Sequence, residues 1–307
     1  TDGTDSTDGF DATDGTDGPE APKVQVVLFT HIEDQTPGGA IGTPQSKTSY
    51  TTLRARLIST AKLFQSRGLQ WVLQPDWKFL EAALVYEDAA AMASTNGKNL
   101  FVHLRDELAV VIDPHSHENG GYNYTDVAYL LTQHGVGGST VIGGHIWDPA
   151  LPEFQKWDKF RAPLSGEKYP GATWRGDILT GSGTPNHVND PVVSGVWRPQ
   201  DKDHYFADDP DANIVALGAF HNGVPGVKEL VALYANGTVP ASVMLTASWN
   251  ITPSSILAED GLDSIDLSVL TPIAAMRDAG TINVTDFTTL VATWKTAYGA
   301  KAFIYQQ

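Results

Sequence analysis

Cysteine is absent from the 307-residue chain, which excludes disulfides, thiolate metal sites and cysteine nucleophiles together. No apolar run approaches the roughly 20 residues that a bilayer-spanning helix needs, so the sequence predicts no transmembrane segment. Basic residues are also few: 20 Lys and Arg stand against 36 Asp and Glu, a formal charge of −16. Clustered positive charge is what grips a phosphate backbone, so nucleic acid is excluded as a partner. The missing thiols suit an exported protein, which must fold where cysteine would oxidise.

The acids that are present are unevenly placed. Residues 1–18 repeat a short triplet that puts Asp2, Asp5, Asp8, Asp11, Asp14 and Asp17 at every third position, and no base precedes Lys23. Such a stretch, with one Phe and repeated Gly, has too little apolar area to offset its ordering entropy. Residues 1–22 are therefore expected to be a disordered, solvated linker. A calcium-binding repeat would need a recurring apolar residue to stack, which the triplet lacks. A tether ahead of a folded region is the arrangement of an exported bacterial-type protein in its mature form, extracellular or surface-tethered. Residues 23–307 are then the folded, catalytic part.

Beyond Pro22 the hydrophobic pattern becomes regular. "KVQVVLFTHIED" reads as a strand, "SYTTLRARLISTAKLFQSRG" as a helix closed by Gly68, "LQWVLQPDW" as a second strand and "KFLEAALVYEDAAAMAS" as a second helix. "KNLFVHLRDEL" is a further helix, "AVVIDPHSH" a third strand, "TDVAYLLTQHG" a helix and "STVIGGHIWD" a fourth strand. Residues 149–210, rich in Pro, Gly, Asp and Trp, read as an elaborated loop region. Regularity returns with "ANIVALGAF", the helix "GVKELVALYANG", the strand "PASVMLTASW" and a closing helix–turn–helix whose second helix Asp286 can cap. With one more strand near "SGVWRP", this predicts an α/β fold: a single distorted (β/α) barrel of about seven parallel strands.

In parallel α/β folds the ligand site lies beyond the carboxyl ends of the strands. Here those ends carry His31, Glu33 and Asp34; then Gln74, Asp76 and Trp77; then Asp113, His115, His117 and Glu118; then His145, Trp147 and Asp148. Two imidazoles and an aspartate can hold one divalent ion, zinc before others, and leave room for water and a carbonyl oxygen. Asp34, His115 and His117 are the candidate ligands. Glu33 is the candidate base, and His145 or His221 the candidate proton donor. His31, Trp77, Trp147 and Trp249 are placed to bind substrate, the indoles as sugar-stacking platforms.

These residues resemble those of the NodB-type polysaccharide deacetylase superfamily. Its opening strand ends in an acidic pair, as does "FTHIEDQTP" with Glu33 and Asp34; its histidine motif is matched by "DPHSHENGG", and its Arg-x-Pro segment by "WRPQ" with Arg198. The chain departs from that pattern in spacing His115 and His117 by one residue and in showing "MLTASWN" where a Leu-x-His is the rule. The resemblance implies a seven-stranded barrel, a metal-dependent removal of acyl groups from a carbohydrate, and a site role for Arg198. Two other readings remain open. One is metal-independent glycoside hydrolysis by Glu33 with Asp113 or Asp148; the other is a sugar-binding barrel without turnover.

Overall fold

The computed structural model describes residues 21–145, 154–181 and 192–307. The expected linker of residues 1–22 falls almost wholly outside the described residues, as do Trp147 and Asp148. The first strand, β1 (Val24–Ile32), is buried along its whole length. Its side chains alternate between two apolar environments: Val24, Val26 and Leu28 pack towards the helices, while Val27 and Phe29 face the interior with Val72, Val141 and Val196. A strand covered on both faces is the signature of a central parallel strand.

After β1 come β2 (Val72–Pro75) and β3 (Val111–Ile112), then β4 (Val141–Ile142), β5 (Leu164–Ser165), β6 (Thr173–Trp174) and β7 (Ile178–Thr180). The remaining strands are β8 (Val193–Trp197), β9 (Val215–Leu217), β10 (Thr246–Asn250), β11 (Ile282–Val284) and β12 (Phe303–Gln306). One five-stranded sheet runs β10-β1-β2-β3, with β11 also paired to β1, and all its pairings are parallel. The second runs β12-β8-β9-β7-β4. A parallel bridge between His115 and Gly143 joins the two on one side. On the other, the Ser248 amide donates to the Ala219 carbonyl at 2.6 Å.

The structure is thus a mixed α/β fold with parallel strands at its centre, but the single ring of about seven parallel strands is not what the described residues form. The segment "SGVWRP" does make a strand, yet β8 runs antiparallel to β9, and β12 antiparallel to β8. Strand direction is set by the length and course of the connection, which the apolar pattern of five residues does not encode.

The helices follow local rules more closely. Helix α1 (Pro44–Ser66) starts earlier than the predicted Ser49, with Thr43 as N-cap and Pro44 in its first turn, and ends as predicted, with Gly68 following it at φ +61°. The second predicted helix is two: α2 (Trp77–Tyr86), capped by Asp76, and α3 (Ala89–Ala93), capped by Asp88. The break falls at Glu87, whose carboxylate is drawn inward to Arg54 at 2.6 Å and the Tyr50 hydroxyl at 2.7 Å. Helix α4 (Leu100–Leu108) is capped by Asn99, and α5 (Tyr124–Gln133) opens with a capping box of Asn123 and Asp126. Helix α6 (Gly223–Ala235) precedes β10, and Asp286 caps the helix Phe287–Ala297 as expected.

Candidate functional site

Pairing in register stacks the interior side chains of β1, β2 and β3 in layers. Phe29, Val72 and Val111 form an apolar layer. Two residues further along each strand, the next layer is polar: His31 opposite Gln74, with Asp113 beside it. The chain then leaves the sheet, so Glu33, Asp34, Asp76, His115 and His117 gather just beyond this layer, at the carboxyl ends.

His31 and His115 are buried and stacked, ring centroids 4.1 Å apart and planes 16° from parallel. His115 Nδ1 lies 2.9 Å from the Gly143 carbonyl oxygen, which commits that nitrogen to donating and leaves Nε2 with the lone pair in the neutral ring. Nε2 is 3.2 Å from Glu33 Oε2. His117, nearly at right angles to His115, brings its Nε2 to 2.9 Å from the same oxygen. Asp34 Oδ2 accepts from the Asn119 side chain at 2.7 Å, and Asp76 Oδ2 accepts from the His117 amide at 3.3 Å. Two sets of donor atoms, His31–Glu33–His115 and Glu33–Asp34–His117, each lie within 4.8 Å of one another. The two histidines of the first are buried, and their stacked rings cannot both aim an in-plane lone pair at one ion. The second is open to solvent, with the His117 side chain 41% and the Glu33 side chain 27% exposed.

The close approach explains a glycine pair. A Cβ on Gly144, which has φ +73°, would stand 2.5 Å from His115 Nδ1 and 2.8 Å from His31 Cε1; one on Gly143 would stand 2.6 Å from Gln74 Oε1. The electrostatics follow from the same packing. Burial opposes charge on Glu33, but the hydrogen bonds to His115 and His117 outweigh it and hold the carboxyl far below the usual range. The bond to Glu33 raises His117, against burial. Burial, then the neighbouring His115, keeps His31 well below its ordinary value. Burial pushes Asp76 up to about 6 and Asp113 up to about 7.

Of the residues singled out from sequence, His31, Glu33, Asp34, His115 and His117 are brought together, with Asp34 grouped with His117 and Glu33 rather than with His115. His145 is buried against Tyr124 and Phe160. Trp77 stacks on Tyr122 at 4.4 Å, donates to Asn119 at 3.2 Å and has Gly120 against its ring, so it props the loop that carries His117. Trp249 packs partly buried against the core and over Gly223. Trp147 lies outside the described residues. Arg198 does not join the cluster: because β8 runs antiparallel, its carboxyl end opens at the amino ends of β4, β7 and β9. There Arg198 pairs with Asp208 at 2.9 Å and helps line a cavity of about 410 Å³. Asp113 turns into the interior, accepting from Ser139 at 2.6 Å, and so does not face Glu33 across an open mouth.

Sequence reasoning passed over Asn119, Asn250 and the Gly143–Gly144 pair. Asn250 accepts from the His31 amide at 3.3 Å, holding the end of β1. The glycine pair before His145 was the available signal, since two glycines at a strand end mark a close approach by other groups.

No family model matches the chain, and no curated protein matches it. Among solved structures, the fold is similar to that of Puue allantoinase, with a TM-score of 0.50 and 10% identity over 92% of this chain and 95% of that one. At this identity the likeness is one of fold, a mixed α/β architecture with parallel strands. A GH57 branching enzyme from the hyperthermophilic archaeon Thermococcus kodakaraensis aligns with a TM-score of 0.48 and 8% identity, over 89% of this chain and 71% of that one. The 4-alpha-glucanotransferase of Thermococcus litoralis gives 0.46 and 8% over 88% of this chain, which spans 40% of that enzyme.

Proposed function

We propose that this protein is a metal-dependent hydrolase that removes acyl groups, acetyl foremost, from a carbohydrate. The observation that carries the reading is the convergence of His115 Nε2 and His117 Nε2 on one oxygen of Glu33, beside Asp34, at the carboxyl ends of parallel strands. The carbohydrate and the acyl group come from the sequence resemblance to NodB-type deacetylases.

Within the solvent-open set, the imidazole of His117 and the carboxylate of Asp34 have the donor chemistry of a divalent-cation site such as zinc, with the Glu33 carboxylate beside them as the base. Asp34 and His117 would hold it, and His117 keeps a ring angle and exposure that leave room for substrate. When bound, such an ion acidifies water and polarises a carbonyl. Glu33 and His115 supply the place for the proton. With His115 Nδ1 committed to Gly143, a carboxylate oxygen and an imidazole lone pair face each other at 3.2 Å, and a proton between them satisfies both. Glu33 is the acceptor at the mouth; His115 stabilises the proton from behind. Asn119 orients Asp34.

The test is acetate release from acetylated oligosaccharides by zinc-loaded protein. Glu33→Gln is expected to retain zinc and lose on the order of 10²–10⁴-fold in turnover. Asp34→Asn is expected to lose zinc and activity together. Wild-type protein that holds zinc and releases no acyl group would refute the activity, and Glu33→Gln with full turnover would refute the role of Glu33.

A further inference from the structure

The polar layer beneath the site is larger than the hydrolytic reading needs. His31 is buried, and the only polar partner within reach of its Nε2 among the described residues is Gln74 Oε1 at 2.7 Å. Gln74 is fully buried, yet its Nε2 has no hydrogen-bond partner. Asp113 is buried as well: one carboxylate oxygen takes the Ser139 hydroxyl at 2.6 Å, and Oδ2 has no partner. A buried donor and a buried acceptor left unpaired are each costly, by about 1–3 kcal/mol. These two belong to adjacent strands. Leu73 pairs with Ile112, so the next position sets Gln74 beside Asp113, and the amide is near enough to favour charge on the carboxylate.

We infer that Gln74 and Asp113 are positioning residues that fix His31 in its Nε2–H tautomer and thereby hold the stacked His31–His115 pair in one arrangement under Glu33. The logic runs along the row. Gln74 Oε1 stands 2.7 Å from His31 Nε2, which leaves the amide nitrogen of Gln74 on the side of Asp113, whose Oδ2 is the acceptor without a partner there. A carbonyl facing His31 Nε2 requires the proton there. The ring then turns its Nδ1 lone pair away from Gln74, and its face lies flat on His115, with Gly144 admitting both rings. Carboxylate, amide and imidazole thus form a chain that a single truncation interrupts. It matters to the hydrolytic site because the His115 ring that backs Glu33 rests on the ring this chain orients. The inference rests on the proposed function only for that last consequence.

Nitrogen-15 NMR of the imidazoles in the full chain, without metal, tests the arrangement independently of any activity. In wild type, His31 should show a protonated Nε2 and an unprotonated Nδ1, with the Nε2 proton protected from exchange. Gln74→Met, similar in length and apolar, should give a mixture of tautomers at His31 and faster exchange. Asp113→Ala should do the same, while Asp113→Asn, which can still accept from Gln74, should restore the wild-type pattern. On an acetylated oligosaccharide, Gln74→Met is expected to lower kcat by about 10–100-fold, the usual cost of losing an orienting partner, with KM and zinc content unchanged. A wild-type His31 carrying its proton on Nδ1 overturns the inference, even if no variant folds. So does an unaltered tautomer in Gln74→Met. Wild-type protein with the expected tautomer but no zinc and no hydrolysis would instead sink the proposed function and leave the row of residues standing.

Discussion

A single oxygen, Glu33 Oε2, draws two imidazoles, and this sets a pH signature for the metal-free protein. The folded His117 titrates above its ordinary value of about 6.5, so its contribution to stability is complete below that pH and disappears as pH rises through the raised value. Glu33 is depressed, so its contribution is present above about 4.5 and is lost only as pH falls towards a much lower value. Both are therefore in full force between roughly pH 4.5 and 6.5. In chelator, the thermal midpoint of wild type should exceed that of His117→Asn most within that window, and the gap should narrow as the pH is taken towards 9. A gap that widens with pH would show that the pairing with Glu33 is absent in solution. At this scale the sequence was informative about residue types and poor about partners. The HSH run announced a site, but which histidine lies with Asp34 and which with His31 depends on ring planes fixed by Gly143 and Gly144, a helix and a strand further along the chain.

Two helix ends were the most legible features, because they depend on neighbouring residues alone: Asp286 at the start of Phe287–Ala297 and Gly68 after α1. The start of α1 at Pro44 and the capping box of α5 follow equally local rules but were not read from the sequence. What local reasoning could not see is that Asp126 serves a second master. Its carboxylate accepts from the Asn123 amide at 2.9 Å and also from the amides of Glu167, Lys168 and Tyr169, at 2.9, 3.2 and 2.8 Å. One buried carboxyl group thus caps the start of α5 and pins the turn between β5 and β6. Asp126→Asn replaces an acceptor with a donor among those amides and should cost on the order of 3 kcal/mol in urea unfolding. A loss below about 0.5 kcal/mol would show that the turn is held by other contacts. The short elements were illegible for the opposite reason. β11 sits inside what reads as a helix–turn–helix, and its three residues become a strand only because β1 offers them a free edge.

For the molecule as a whole, strand direction separates two regions that the sequence pattern had merged. Arg198 was drawn into the site by its motif, and β8 delivers it to the far end, where its guanidinium lies over Trp294 and bonds Asp208 and the Ala300 carbonyl. Arg198→Ala should consequently lower the thermal midpoint by a few degrees, while the proposed zinc binding and acyl release would be unaffected. A variant of unchanged midpoint that has lost activity would mean that the two ends communicate. The parallel α/β character, by contrast, was readable from alternating strands and helices, since a strand with helices on one face and an apolar interior on the other is apolar on both faces.

The position of β1 carries one more consequence, in time. His31 meets Asn250 across 219 residues of chain; β2 pairs with β1 early, but β10 arrives only then and β11 later still. At ribosomal speeds of roughly 5–20 residues per second, about 10–45 s pass between the emergence of His31 and of Asn250. For that interval a nine-residue strand, buried on both faces in the finished protein, is present in the nascent chain with one edge unpaired. Nascent chains of this protein should therefore be strong clients of holding chaperones until β10 emerges, and stalled chains ending before residue 246 should aggregate on release.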